Sequence, residues 1–158
     1  MTKPRAAHCY TTENDEASIM KVKVGLKATR TLRVTREHVE KYAEITGDRN
    51  PLHFDADFAA GTPFKKLVVQ GGITAGILNA LVAEDLPGPG TVFMSQNLDY
   101  VAPVFIDDSI VGEVEVLEVH AEKPVTHLRV EVRRADGTVV LKGDAWCYTF
   151  SGPSTRRL

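Results

Sequence analysis

An acid and a histidine lie five residues apart in a segment that proline keeps out of helical geometry. The segment runs from Gly47 to Phe54 and reads Gly-Asp-Arg-Asn-Pro-Leu-His-Phe, so Asp48 and His53 flank an Asn-Pro pair. Proline fixes its own φ and pushes the residue before it towards extended backbone, which bends the chain here. On such a bend a carboxylate and an imidazole can face one pocket and act as general acid and base near neutral pH. A helix stop followed by a polar turn, with His53 solvated, explains the same residues without any chemistry.

The composition excludes several other classes of function. The chain has 158 residues, a net charge of −2, 43% hydrophobic and 25% charged residues, as is ordinary for a globular protein. This balance provides no basic patch for nucleic acid or for an anionic membrane. No apolar run is long enough to span a bilayer, and residues 1–20 lack the apolar core of a signal peptide. Cys9 and Cys147 have no metal-ligand spacing and fit a reducing compartment, so we expect a cytoplasmic protein without a metal site.

The elements before the bend follow clear periods. Apolar residues alternate from residue 22 onward, which predicts a first strand over residues 22–34. Thr35 is a good N-cap, and residues 36–46, with Val39 and Tyr42 among the apolar positions, have the spacing of an amphipathic helix. Gly47 suits the left-handed position just after a helix end. These patterns predict that the bend follows directly from a helix and leads into a single helical turn over residues 56–60.

A helix of unusual composition is predicted for residues 72–85. It is apolar on nearly every face and rich in small residues, which is typical of a helix inside a protein. After Gly90 the period changes to two, and turn signals separate four Val-rich segments. We therefore predict an antiparallel meander of four consecutive strands, with Asp136-Gly137 as one hairpin turn: residues 91–101, 109–120, 125–135 and 139–150.

Together these elements predict a single α+β domain. The four strands and the first strand make a long sheet, and long strands curl and need an apolar element in their concavity. The apolar helix is the element available to fill it. We expect a flexible N-terminal arm over residues 1–20, the domain over residues 21–150 and a tail over residues 151–158.

The residues at the bend resemble the hydratase motif of the MaoC-like proteins, the (R)-specific enoyl-CoA hydratases. That motif has the form Asp-x-Asn-Pro-x-His, followed by a glycine at the mouth of a central helix, and Asp48–His53 and Gly71 match it. The resemblance covers most of the chain, from Thr31 to Phe150. It implies the hot-dog fold, in which a long antiparallel sheet wraps around a central helix. One departure is Gln70-Gly71, where the family usually has His-Gly; it alters the pocket mouth and leaves the catalytic pair intact.

The resemblance also implies a reaction. It is the (R)-specific hydration of trans-2-enoyl-CoA, or the reverse dehydration of (R)-3-hydroxyacyl-CoA, with Asp48 and His53 as the catalytic pair and without a cofactor. A backbone N–H at the start of the central helix is expected to bind the thioester oxygen, and other side chains orient the water or shape the pocket. The expected contacts to the oxyanion or substrate are Gly71, Gly72, Asn50 and Gln70.

The expected partners are an acyl-CoA or acyl-carrier thioester and a second copy of the chain. The predicted strand over residues 91–101, with Phe93 and Leu98, is a candidate sheet edge, and proteins normally cover such edges. A homodimer or higher homo-oligomer is therefore expected. The motif specifies neither acyl chain length and branching, nor CoA over acyl-carrier protein, nor the physiological direction, nor a role for Asn79.

Two other functions are compatible with the predicted fold. A hot-dog thioesterase hydrolyses the thioester with a carboxylate, but it does not need the Asp-x-Asn-Pro-x-His pairing. A non-catalytic module that binds acyl thioesters has no use for a matched acid and base. The hydratase interpretation accounts for both Asp48 and His53.

Overall fold

The computed structural model describes residues 22–151, and its elements follow the predicted order. The strands are β1 (Lys27–Arg33), β2 (Thr91–Tyr100), β3 (Ser109–Val119), β4 (Val125–Arg134) and β5 (Val139–Thr149). The helices are α1 (Arg36–Thr46), α2 (Pro51–Phe54), α3 (Ala56–Ala60) and α4 (Gly71–Ala80), and α4 continues in a π-helical turn, Leu81–Asp85. The predicted N-terminal arm and Cys9 lie outside the described residues, as does the tail beyond residue 151.

All five strands form one antiparallel sheet in the spatial order β1-β3-β4-β5-β2. Strands β3, β4 and β5 make the predicted meander, with the turn at Gly137 between the last two. The prediction of four consecutive meander strands is wrong for β2, which pairs with β5 at the far edge of the sheet. The connection over residues 101–108 explains this, because it crosses to the opposite edge beside β1. There the Asp107 N–H donates to the Val34 carbonyl at 2.7 Å.

The first strand begins later than its alternating residues predict. The predicted strand starts at residue 22, whereas β1 begins at Lys27. A turn precedes it, in which Leu26 N–H donates to the Lys23 carbonyl at 3.1 Å and Gly25 has a φ of +87°. That left-handed conformation interrupts a strand, and glycine adopts it without a steric cost.

Helix α4 packs one face against the sheet. Ile77 and Leu81 are 6% and 0% exposed and lie against Gly112 of β3. A Cβ at Gly112 would lie 2.9 Å from Ile77 Cγ2 and 3.0 Å from Leu81 Cδ1, so glycine lets the helix approach the strand closely. The helix is not buried on every face as predicted, because Gly71 at its start and Asn79 near its end are exposed. The apolar helix therefore also presents a surface that can line a site.

Helix α1 has the predicted bounds, from its N-cap Thr35 to Gly47, which has a φ of +77° just past its end. The segment from Gly47 to α4 contains the short helices α2 and α3. This segment carries the residues that the sequence singles out for chemistry. Within residues 22–151, the structure contains no helix of the length and hydropathy that a transmembrane span requires.

Candidate active site

The predicted catalytic pair lies where α1 leads into α2, with Asp48 in the connection and His53 in α2. His53 Nδ1 lies 2.7 Å from the carbonyl oxygen of Val68, and His53 Nε2 lies 3.6 Å from Asp48 Oδ2. A carbonyl oxygen can only accept a hydrogen bond, so Nδ1 carries the hydrogen and the neutral ring has its lone pair on Nε2. The gap between Nε2 and the carboxylate is too long for a direct hydrogen bond. A water molecule that contacts both groups can therefore exchange protons with either of them.

The two members of the pair differ in exposure. The His53 side chain is 10% exposed, whereas the Asp48 side chain is 41% exposed. Asp48 Oδ1 accepts a hydrogen bond from the Asn50 N–H, and the Asp48 N–H donates to Thr46 Oγ1, each at 3.2 Å. These local bonds hold the carboxylate at the end of α1 with Oδ2 towards the imidazole. One partner is thus fixed inside the protein and the other meets the solvent that supplies water.

The Asn50-Pro51 step sets the direction of the turn that carries His53. Asn50 has a φ of −52° and a ψ of 133°, as expected before proline, and α2 begins at Pro51. The Asn50 Oδ1 accepts the Leu52 N–H at 3.0 Å and so caps this short helix. The sequence analysis predicted only a bend here, because one helical turn has no apolar period to detect. Asn50 therefore holds Asp48 through its backbone and the turn of His53 through its side chain.

Val68 anchors the imidazole through its backbone. Its N–H donates to the Leu52 carbonyl at 3.1 Å, and it forms an isolated antiparallel bridge with Phe105. The backbone that carries the carbonyl bound to His53 is therefore held by two contacts, one to Leu52 of α2 and one to Phe105. Sequence reasoning missed this residue, because a backbone acceptor does not depend on residue type.

A cavity of about 320 Å³ leads from Val68 to the start of α4, where Gly71 and Tyr100 line it. The first N–H groups of a helix have no partner within the helix, and the helix dipole adds positive charge at this end. The Gly71 and Gly72 N–H groups are therefore available to a ligand oxygen. Since Val68 also binds His53, the imidazole anchor and one predicted oxyanion donor, Gly71, lie at one cavity.

Gln70 differs from its expected place at the pocket mouth. It is only 1% exposed, and its Nε2 donates to the Val39 carbonyl of α1 at 3.1 Å. Its Oε1 is buried and has no hydrogen-bond partner within the described residues. In this structure the side chain therefore connects α1 to α4 instead of facing a substrate.

A larger cavity, of about 460 Å³, lies on the other side of the helix start between β1, α1 and α4. Tyr42, Gly72 and Asn79 line part of it. Tyr42 and Tyr100 thus flank the two glycines, one from each cavity. Burial, and to a smaller extent the nearby phenol of Tyr42, raises the pKa of Tyr100. From the sequence, Tyr42 is predicted only on the apolar face of α1, and neither tyrosine is predicted to lie at the site.

The site residues do not form a set of metal ligands. Across residues 22–151 no group of three or more histidine, cysteine, aspartate or glutamate side chains comes close enough to hold a metal ion.

Comparison with known proteins identifies relatives with named activities. The (R)-specific enoyl-CoA hydratase of Aeromonas caviae is 34% identical over 128 residues, which cover 81% of this chain and 96% of that protein. The 3-hydroxybutyryl-CoA dehydratase of Methylorubrum extorquens is 41% identical over 124 residues, or 78% of each chain. One relative is thus named as a hydratase and the other as a dehydratase.

Solved structures with the same architecture include two (R)-hydratases. The enzyme from A. caviae, involved in PHA biosynthesis, has a TM-score of 0.78 at 32% identity and covers 82% of this chain and 98% of its own. The R-hydratase PhaJ1 from Pseudomonas aeruginosa has a TM-score of 0.78 at 33% identity, with coverage of 85% and 86%. These neighbours confirm the predicted hot-dog fold. The family model described as "MaoC like domain" matches residues 18–137, most of the chain, and this protein therefore belongs to the MaoC-like domain family.

Proposed function

We propose that this protein hydrates trans-2-enoyl-CoA to (R)-3-hydroxyacyl-CoA, and catalyses the reverse dehydration, with Asp48 and His53 as the catalytic pair. The observation that carries the proposal is the 3.6 Å separation of His53 Nε2 and Asp48 Oδ2, with the imidazole held by the Val68 carbonyl. One water molecule can contact both groups in this arrangement. The names of the A. caviae and M. extorquens relatives support the reaction class.

In the hydration direction, water loses a proton to the pair while its oxygen bonds to C3 of the enoyl group. The electrons of the C2–C3 double bond move towards the thioester oxygen, and the pair supplies a proton to C2. The pair takes one proton and gives one, so Asp48 and His53 end with their initial charge. General acid–base catalysis of this kind is typically worth about 10²- to 10⁴-fold in rate.

The start of α4 supplies the donors for the charge that develops on the thioester oxygen. The N–H groups of Gly71 and Gly72 are fixed by the helix before the reaction, so their orientation costs little when the charge forms. Loss of one such donor typically lowers kcat by roughly 10²- to 10³-fold. Glycine at these positions also permits the close approach of a thioester to the backbone.

The stereochemical part of the proposal rests on the one-sided placement of the pair and the donors. A planar enoyl group held by its thioester oxygen presents one face to Asp48 and His53, and in this family the product is the (R) alcohol. Chiral analysis of the 3-hydroxyacyl product tests this directly. An (S) product, or a racemate formed by the enzyme, would contradict the assignment.

The reaction itself is tested with crotonyl-CoA. We expect loss of the enone absorbance without release of free thiol, measured in the same sample. Thiol release would instead indicate a thioesterase, and tight binding without turnover would indicate an acyl-binding module. A series of enoyl-CoA chain lengths, together with the matching acyl-carrier thioesters, then defines the preferred substrate.

We also propose that the protein forms a homodimer through β2. This strand is an edge of the sheet and exposes apolar side chains, among them Val92 (49% exposed) and Met94 (59% exposed). Pairing β2 with the same strand of a second copy would satisfy its free backbone groups and cover these side chains. Light scattering should detect a dimer, and a stable monomer at micromolar concentration would contradict the proposal.

A further inference from the structure

The hydroxyl of Tyr42 occupies the place where any residue other than glycine would have its Cβ at position 72. A Cβ on Gly72 would lie 1.7 Å from Tyr42 Oη and 2.3 Å from Tyr42 Cζ. The Cα–Cβ bonds of a helix tilt towards its N-terminus. The hydroxyl therefore lies on the N-terminal side of Gly72, where the unpaired N–H groups of the first turn are found.

The contact between α1 and α4 holds this hydroxyl in place. Gln70 Nε2 donates to the Val39 carbonyl at 3.1 Å, and both residues are buried. Tyr42 follows Val39 by nearly one turn of α1, and Gly72 is two residues after Gln70. The buried hydrogen bond and the packing of Tyr42 on Gly72 thus fix the same pair of helices at adjacent points.

Among residues 22–151 the Tyr42 hydroxyl has no hydrogen-bond partner. Apart from the backbone hydrogen bonds of α1, Tyr42 makes one hydrogen bond there, in which its carbonyl oxygen is the acceptor. Tyr42 lines the cavity of about 460 Å³ together with Gly72. A phenol is both a donor and an acceptor, so its O–H is available to a ligand oxygen in that cavity.

We propose that Tyr42 is a further catalytic residue, whose hydroxyl donates a hydrogen bond to the thioester oxygen beside the N–H groups of Gly71 and Gly72. This inference rests on the proposed hydratase function. A third fixed donor strengthens as negative charge grows on that oxygen, so it favours the transition state over the bound substrate. Gly72 has the role of leaving room for this hydroxyl at the helix start.

The test compares Tyr42→Phe with Tyr148→Phe in crotonyl-CoA hydration. Tyr42→Phe keeps the ring and removes only the hydroxyl, so we expect kcat to fall about 10- to 100-fold while KM changes little. Tyr148 packs its ring against Phe150 at a centroid distance of 4.6 Å, on β5, and the same substitution there should leave kcat unchanged. Thermal unfolding of both variants shows whether the fold is intact.

A second variant, Gly72→Ala, tests the steric part of the proposal. The new methyl group must displace the Tyr42 hydroxyl, so Gly72→Ala should also lower kcat. The loss in the Tyr42→Phe, Gly72→Ala double variant should be smaller than the product of the two single losses, because both remove the same contact.

The outcomes separate this inference from the proposed function. Wild-type protein that hydrates no enoyl thioester would overturn the proposed function itself. Wild-type hydration with an unchanged kcat in Tyr42→Phe would overturn only the role of Tyr42, leaving it a packing residue. A rise in KM alone would mean that the hydroxyl binds substrate equally in both states and is not catalytic.

Discussion

Residues 22–151 contain two aspartate–histidine pairs, and the closer one is the poorer candidate for catalysis. His127 Nε2 lies 2.9 Å from Asp144 Oδ2 on neighbouring strands of the sheet (the sheet pair), whereas His53 Nε2 lies 3.6 Å from Asp48 Oδ2 where α1 leads into α2 (the turn pair). In the sheet pair, Nε2 is already engaged with the carboxylate, and the ring is stacked on Trp146 at 4.2 Å. In the turn pair, the other nitrogen is engaged instead, and Nε2 is left facing a gap that admits water.

For the proposed reaction, the hydrogen bond on the second ring nitrogen matters more than a short distance between the imidazole and the carboxylate. Val68 fixes the tautomer of His53 and directs its lone pair towards Asp48. Val68, which holds His53, also lines the cavity of about 320 Å³ at the start of α4. We therefore assign the proposed proton transfer to the longer pair, whose His53 Nε2 is free to contact water, and not to the short pair on the sheet.

The largest loss of kcat is expected from substitutions in the turn pair, with the sheet pair as the control. Asp48→Asn and His53→Gln should each lower kcat by at least about a hundredfold, because each removes one proton-transfer group. The matched variants Asp144→Asn and His127→Gln should retain wild-type kcat. Crotonyl-CoA hydration measures all four, with circular dichroism as the check on folding. Near-normal turnover in either variant of the turn pair would refute the comparison.

A roughly tenfold loss of kcat is expected when the helix cap that positions His53 is removed. Asn50→Ala removes the acceptor for the Leu52 N–H, which should cost about 1 kcal/mol of stability and lower kcat roughly tenfold as the imidazole loses its fixed position. Asp55→Ala is the control, since Asp55 Oδ1 caps the next helix by accepting the Phe58 N–H at 2.9 Å. It should lose similar stability with kcat unchanged. An equal loss of kcat in both variants would mean that general destabilisation, and not the turn of His53, limits activity.

Gln70 tests whether the contact between α1 and α4 serves stability more than substrate binding. Gln70→Ala leaves the buried Val39 carbonyl without its side-chain donor but also removes an unpaired Oε1, so we expect a loss of about 1 kcal/mol in the free energy of unfolding. Denaturant unfolding measures this change, and KM for crotonyl-CoA measures binding. A large rise in KM with unchanged stability would return Gln70 to the pocket mouth.

The smallest effect on kcat is expected at Cys147, which lies on β5. Burial raises the pKa of this thiol to about 12, so it remains protonated and unreactive in the folded protein. In a Cys9→Ser background, thiol labelling of the folded protein should be negligible up to pH 9. Unfolded protein ionises this group from about pH 9 upward, so stability should decline as the pH rises from about 9 towards 12. Rapid labelling at neutral pH would show that the sheet opens readily.

The sequence predicts the elements of this site better than their contacts. The bounds of α1, the single turn of α3 and the strand periods follow from local propensity and spacing, which act within a few residues. The position of β2 beside β5 could not be predicted, because hairpin signals describe neighbours in sequence and β2 has a crossing connection.

Within the site, residue type indicated Asp48 and His53, which the structure places 3.6 Å apart. The carbonyl of Val68 gave no signal, since any residue offers the same acceptor. The hydroxyl of Tyr42 gave none either, because its role depends on the missing Cβ of Gly72 across a helix–helix contact. Contacts that depend on backbone atoms or on empty space are those that a sequence pattern does not report.

The far-edge position of β2 has a consequence for the order of folding. The hairpins of β3, β4 and β5 join strands that are close in sequence. By contrast, Thr91 of β2 pairs with Thr149 of β5, although β3 and β4 lie between these two strands in the sequence. Pairing over a long separation is slower than local pairing. The β2 residue Tyr100 lies close to Gly71 and lines the same cavity, so that wall of the cavity can form only after β2 has docked. Pulse-labelled hydrogen exchange during refolding should therefore protect the β3–β5 amides before those of β2, and earlier protection of β2 would contradict this order.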